Sequence, residues 1–457
     1  MNLKLVVTSM SILGLVSCPA FAATNHNKHQ QNTQTEARHD YKDYKDMGPK
    51  VCTITPSAMT MVEMSQNIGR SLPNPCNPGW YDRIKVSGGI NFDFGKFGNR
   101  NSNIMGVNYQ TFSLNDVYVN IAGTMNEWTT AFASVSFNTA STAGNPSMYG
   151  TFGAAEYSAA YSNNVNGATG NNFQIEQAFA TIANFNVTPV FLQGGKFFQD
   201  FSRYEIHPIT RSMTQVMSET LASALRLGFI AEGFNGSAYV FNSPIGKIGS
   251  SASSNATNYG LSLGYDVNDQ QFGWDLGAGY LYNMMGVNDT AYSVDNFTGG
   301  GYNSRAGAAA LYGDVNSGPF MVALRYTQAI QRFNRLDLTK NGRADLAAGS
   351  PILGSGTQIV PAAGTTGAKP WAAGIQAGYG FDAWGKSQNV YLGYQTSREA
   401  AGLNLPKSRW QVGYGVSFVY DTTLTAEWDH DRMFSAGNGG SGNTDNLVSL
   451  RAAVKFA

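Results

Sequence analysis

The stretch Trp410-Gln411-Val412-Gly413-Tyr414-Gly415-Val416-Ser417-Phe418-Val419-Tyr420 puts an aromatic or branched side chain at every second position, with Gln411, Gly413 and Ser417 between them. Successive side chains of a strand point to opposite faces, so a period of two marks a strand with one apolar and one polar face. The same alternation runs through Ile84/Val86/Ile90/Phe92/Phe94, Val117/Val119/Ile121, Leu225/Leu227/Phe229 and Tyr259/Leu261/Leu263/Tyr265. It continues in Phe320/Val322/Leu324/Tyr326, Ile375/Ala377/Tyr379/Phe381 and Leu450/Ala452/Val454/Phe456. From Trp80 onward the chain therefore reads as all-β, with about sixteen strands.

The apolar face is either the core of a soluble sandwich or the lipid-facing side of a barrel, and the connections decide between them. Short links at Thr124–Glu127, Ala183–Pro189, Glu232–Asn235, Val267–Gly273, Ser317–Pro319, Asp382–Gln388 and Asp421–Thr422 alternate with long ones. The long ones are Gly98–Thr111, Asn138–Asn172, Gln199–Ser223, Asn242–Thr257, Asn283–Arg305, Ala329–Pro370, Ser397–Lys407 and His430–Asn446. Outer-membrane barrels have short periplasmic turns and long external loops. A soluble sandwich has no reason to keep that order. The expectation is a transmembrane antiparallel β-barrel over 81–457, with both ends on the periplasmic side. The last strand ends Val454-Lys455-Phe456-Ala457, its aromatic one position short of the usual place.

Composition agrees. Charged residues make up 13% of the 457, against about 25% in an ordinary soluble domain. Mean hydropathy is only −0.22. Past the first two dozen residues no stretch reaches the roughly 18 consecutive apolar residues of a helical span, so insertion requires a closed barrel. Net charge is formally zero, which gives a nucleic acid no reason to bind.

The first residues give an address. Lys4, the apolar run Leu5–Val16 and Ala20-Phe21-Ala22 form a signal peptide over 1–22, with the mature chain starting at Ala23. Leu15-Val16-Ser17-Cys18 also matches a lipoprotein box, against which Pro19 and the Ala-x-Ala site speak. Residues 23–50 read as a disordered polar arm, its His26, His29 and His39 solvated. Residues 51–80 read as a periplasmic extension, or a plug in the barrel mouth. Its Cys52 and Cys76 form an even pair in an oxidising compartment and pair by default. Such a disulfide would close a loop of about 24 residues and contribute on the order of 3 kcal/mol. Two free thiols are the alternative.

If the apolar positions face lipid, Lys85, Asp93, Asp116, Glu176, Arg226, Arg325, Arg409, Glu427, Asp429 and Arg451 turn inward. Two readings fit: a cross-lumen salt-bridge ladder, and a selectivity lining for a charged solute. The connection Gln199–Ser223 concentrates Arg203, Tyr204, Glu205, His207 and Arg211. A loop that folds into the pore with Arg and Tyr suits a carboxylate or catechol, because Arg binds planar oxyanions bidentately. A charged surface loop is the other reading. Asp429-His430-Asp431 is a candidate for a divalent cation at the rim or for a solvated strand end. The chain has no Gly-x-Ser-x-Gly elbow and no His-Glu-x-x-His helix, and the expectation is no enzyme, no cofactor and no metal.

Three segments together resemble the LbtU family of siderophore porins: Tyr81–Asn91 at the first strand, Phe179–Phe201 with Gly194-Gly195-Lys196-Phe197-Phe198, and Gly233–Asn242. That resemblance implies import of ferric siderophore across the cell outer membrane through a porin of about sixteen strands. The partners expected are outer-membrane lipid and a small solute, with the protein a monomer or a trimer. The large energised receptors have about 22 strands and a plug domain, for which too few residues precede Ile84. A general diffusion porin and an outer-membrane hydrolase or adhesin are the alternatives.

Overall fold

The structure is a computed structural model that describes residues 71–74, 83–98, 109–139, 171–203, 209–249, 258–268, 272–298, 301–346, 361–419 and 421–456. The signal peptide, the polar arm, Cys52, Cys76, Tyr204, Glu205 and His207 lie outside these residues. Sixteen strands close into one antiparallel barrel. They are β1 (Ile84–Gly98), β2 (Tyr109–Thr124), β3 (Thr129–Thr139), β4 (Asn171–Ala183), β5 (Val190–Phe198), β6 (Leu221–Ala231), β7 (Phe234–Phe241) and β8 (Asn258–Asn268), followed by β9 (Phe272–Leu281), β10 (Ala308–Ser317), β11 (Phe320–Ala329), β12 (Trp371–Ala383), β13 (Lys386–Arg398), β14 (Ser408–Val419), β15 (Thr422–Arg432) and β16 (Thr444–Phe456). Each strand pairs with its sequence neighbours, and β1 closes on β16 from Gly88 opposite Phe456 to Gly98 opposite Asn446.

Alternation sets which face each side chain takes. Ile84, Val86, Leu225, Leu227, Leu261, Leu392, Trp410, Val412, Leu450 and Val454 are all exposed on the outside. Leaving such side chains in water forgoes about 1.5–3 kcal/mol each, so this outer surface belongs in hydrocarbon. The inside is polar: Ser87, Asn120, Gln193, Arg226, Gln395 and Gln411 are fully buried. The charges expected to point inward do so at Lys85, Asp93, Glu176, Arg226, Arg325, Arg409, Glu427 and Asp429. The side chain of Asp116 is not described.

The turns at the end with short links are tighter than the sequence suggested. Strand pairing runs to Ala383 and resumes at Lys386, leaving only Trp384 (φ 53°) and Gly385 (φ 67°) between. Glu232 (φ 51°) and Gly233 (φ 82°) form the matching β6–β7 turn. Two successive positive φ values are the signature of a type I′ hairpin, whose twist matches that of the strands it joins. A Cβ on Gly233 would stand 2.5 Å from the Asp266 carbonyl oxygen. Gly233→Val is therefore expected to destabilise the barrel by about 1–3 kcal/mol, read as a lower urea midpoint for the shift from folded to unfolded migration on a gel.

Among the described residues, one short segment precedes the barrel. Ser71–Asn74 lies against the inner wall. The Ser71 N–H donates to the Tyr118 hydroxyl (2.8 Å), and its carbonyl accepts from Asn120 Nδ2 (2.6 Å) and Ser87 Oγ (3.1 Å). Ser71 Oγ donates to the carbonyls of Gly88 (2.9 Å) and Phe456 (3.2 Å), one on β1 and the other on β16. Leu72 packs against Ala122, Phe132, Phe179 and Phe197.

Candidate functional site: the crossed lumen

The β5–β6 connection, for which the sequence leaves an inward-folding loop and a charged surface loop open, folds inward. Its described residues 201–203 and 209–220 are all buried. Inside a barrel every backbone N–H and C=O still needs a partner, and the loop finds these on the opposite wall. Thr210 donates its N–H to Glu427 Oε1 (2.8 Å) and its hydroxyl to Asp429 Oδ2 (2.6 Å), both on β15. The Met213 N–H donates to Gln395 Oε1 on β13 (2.7 Å), and Arg409 Nη1 on β14 donates to the Arg211 carbonyl (3.1 Å). β13 to β15 lie half the ring away from β5 and β6. The loop thus spans the lumen.

A short helix, α1 (Met213–Val216), forms at the crossing, with Ser212 Oγ accepting from the Gln215 N–H as its N-cap (3.0 Å). Its apolar side joins a core inside the barrel. Phe201, Met213, Met217, Met284, Met285, Val294, Phe333, Leu338 and Leu403 meet there, none more than 4% exposed. The β9–β10 connection supplies α2 (Asn288–Thr298), an eleven-residue helix inside the long link expected between these strands. Asn288 at its start bonds both the N–H (2.6 Å) and the C=O (3.2 Å) of Leu221, and Asp289 takes a two-pronged bond from Arg211 (3.2 and 2.6 Å). Asp337 ties a third connection in, accepting from the N–H groups of Asn303 (2.6 Å) and Ser304 (3.0 Å). The end of the barrel with long loops is therefore packed with side chains.

Among the described residues, Arg325, Arg409 and Arg451 pair with carboxylates on neighbouring strands of the wall. Arg325 bonds Asp314 on the adjacent β10 (2.9 Å), Arg409 grips Asp431 directly opposite it on β15 (2.7 and 2.8 Å), and Arg451 grips Asp93 directly opposite it on β1 (2.7 and 2.7 Å). Inward positions on neighbouring strands bring their side chains within reach, which is why ion pairs form there. Arg226 pairs with Asp200 (3.1 Å) and lies over the Phe197 ring (4.4 Å). Glu176 accepts from Ser134 Oγ (3.5 Å). Arg211 faces Asp289 and Glu219, so carboxylates already occupy its guanidinium. Arg203 lies over the Tyr312 ring at 5.3 Å. Burial opposes its charge, yet Tyr312, Asp275, Asp200 and Asp314 around it outweigh that and push its pKa up.

Some of the site escaped the sequence reading. Asp429 and Asp431 are not a solvated strand end: both are buried, while His430 points outward and meets Asn446 (2.9 Å). Alternation alone separates that histidine from the two carboxylates. Tyr391 was not singled out. It fills the space over Gly413, the residue opposite it on β14, and donates its hydroxyl to Glu427 Oε2 (2.5 Å). A Cβ on Gly413 would stand 1.9 Å from the Tyr391 ring. The alternating Gly413 and Gly415 of β14 were the only trace of this in the sequence.

No family model matches the chain. It is 26% identical over 307 residues to a UPF0422 protein of Coxiella burnetii, covering 63% of this chain and 60% of that protein. It is 24% identical over 312 residues to UPF0422 protein lpl2888 of Legionella pneumophila, covering 62% of this chain and 54% of that one. The chain thus spans little more than half the length of these relatives, and their description names no substrate. Among solved structures, OmpF of Salmonella typhi in complex with daunomycin superposes with a TM-score of 0.50 at 11% identity, over 82% of this chain and 97% of that chain. The likeness is one of fold: a sixteen-strand porin barrel.

Proposed function

We propose that this protein is a channel of the Gram-negative outer membrane that admits a restricted class of small polar solutes. The LbtU resemblance supports ferric siderophore as the cargo. The apolar outer face takes membrane lipid, or neighbouring copies in a trimer, and the long connections face outward from the cell.

The observation that carries this reading is the β5–β6 loop fastened to β13–β15 across the lumen. A general diffusion pore leaves its wall wet. Here Arg226 and Gln411 are 0% exposed and Asp429 1%, so a solute passes only where the loop and its packed core let it. Ion flow and cargo then compete for one narrow path.

Planar-bilayer recording of the refolded protein tests this. The expected result is small channels whose current falls saturably as ferric siderophore is added on the side of the long loops. Large ohmic currents indifferent to siderophore would establish general diffusion instead. Complete absence of current would move the protein to the hydrolase or adhesin class.

A further inference from the structure

The outer wall of β10–β13 carries a groove in its lipid-facing surface. Leu311, Leu324, Ile375 and Tyr394 stand around the small Gly313 and Ala373 and leave a space of about 440 Å³. Register explains the dip. Gly313, Leu324, Ile375 and Tyr394 are opposite one another in turn across the four strands, and one row nearer the long loops come Leu311, Tyr326, Ala373 and Thr396. Gly313 has no side chain and Ala373 a single methyl, so the surface sinks between their larger neighbours.

Four exposed cations stand at the long-loop end of the same strands. Arg398 ends β13 opposite Trp371, two residues beyond Thr396 and so about 7 Å along the strand. Lys369 lies two residues before β12, Arg332 three beyond β11 and Arg305 three before β10. Glu399 is set among them: it binds Arg332 (2.8 Å), whose side chain stays 50% exposed, and accepts from the Lys369 N–H (2.8 Å). Arg305 lies over the Tyr282 ring (4.9 Å), which stacks on Tyr259 (4.4 Å). Positive charge beside outward aromatic rings marks the level at which a barrel meets lipid headgroups.

A neutral acyl chain would fill the groove and leave the cations without an anion. A water-soluble anion would do the reverse. A second barrel would cover the groove but press the cations against an apolar wall, where unpaired charge is costly. A lipid with phosphate at its head and acyl chains below supplies both parts, in the order in which rim and groove are stacked.

We propose that this face of the barrel is a binding site for one phosphorylated, acylated lipid of the outer leaflet, its phosphate held by Arg398, Lys369 and Arg332 and an acyl chain laid in the groove. Guanidinium groups take phosphate oxygens in pairs, which suits them to the head. The inference rests on the outer-membrane reading above, with the long loops outward, and not on what passes through the lumen.

The test is native mass spectrometry of the refolded full chain in detergent, titrated in turn with lipid A, dephosphorylated lipid A and phosphatidylcholine. The expected result is one lipid A retained per barrel, at concentrations about tenfold below those that the other two need. Lys369→Gln/Arg398→Gln is expected to weaken retention about tenfold. Ala373→Phe, which fills the groove and leaves the charges in place, is expected to weaken it to a similar degree. If one variant fails to fold, the comparison of phosphorylated with dephosphorylated lipid on the parent still decides. Lipid A held no better than phosphatidylcholine, or no loss in either folded variant, would overturn the site. Loss in the charge variant alone would overturn it too, as a general attraction of phosphate to the rim, and so would loss in Ala373→Phe alone or a barrel oligomer in place of the lipid complex. Conductance of both variants is expected to match the parent, so failure of the lipid site and failure of the channel reading are separate results.

Discussion

Replacing residues 209–218 by a short Gly-Ser turn raises single-channel conductance several-fold and abolishes saturable block by cargo. β5 ends at Phe198 and β6 begins at Leu221. These neighbours pair in register from Val190 opposite Phe229 to Phe198 opposite Leu221, so their pairing does not depend on what joins them. Excision removes Thr210, Met213 and Met217 from the lumen and uncovers Glu427, Asp429 and Gln395, which water then hydrates. The apolar core at the crossing loses its central members, but the wall keeps its ladder of backbone bonds. Conductance that stays at the parental level after excision would mean that the loop does not limit flow.

Arg409→Ala is expected to be the most destabilising single change in the wall. Arg409 sits fully inside beside Asp431, with Asp429 and Glu427 next on the same strand face, and it also holds the Arg211 carbonyl. Removing one partner of a buried pair leaves an uncompensated charge and costs about 3–5 kcal/mol. The measurement is the temperature at which the folded, fast-migrating gel band disappears. It should fall markedly in the Arg409→Ala variant and recover in the Arg409→Ala/Asp431→Ala double variant, which leaves no orphaned carboxylate at that position. If the double variant proved no more stable than the single one, the loss would lie in the loop contact and not in the ion pair.

The barrel was legible because its signal is local. A strand in lipid must alternate, and each hairpin must turn within a few residues, so Trp410–Tyr420 and the two-residue links carry the fold within short windows. The inward set followed from the same parity, from Lys85 to Asp429. The crossing was not legible in that way. Thr210 meets Asp429 across 219 positions of chain, and nothing near either residue marks the other. The density of Arg203 and Arg211 in one connection pointed to that loop, but their actual partners, Tyr312 and Asp289, come from distant elements. The helix α2 escaped because Asn288–Thr298 is mostly polar, with its apolar side turned to a core that exists only when three connections meet.

The four residues Ser71–Asn74 bear on the order in which the molecule is made. Ser71 Oγ touches Gly88 of the first strand and Phe456 of the last, which become neighbours only when the sheet has rolled up. The partners Ser87, Gly88, Tyr118 and Asn120 belong to the β1–β2 hairpin and exist before the sheet rolls up, whereas the bond to Phe456 exists only once the seam has shut. The segment therefore straddles the joint, its bond to Phe456 adding to the one hydrogen-bonded ladder through which a closed barrel can unzip without breaking a hairpin.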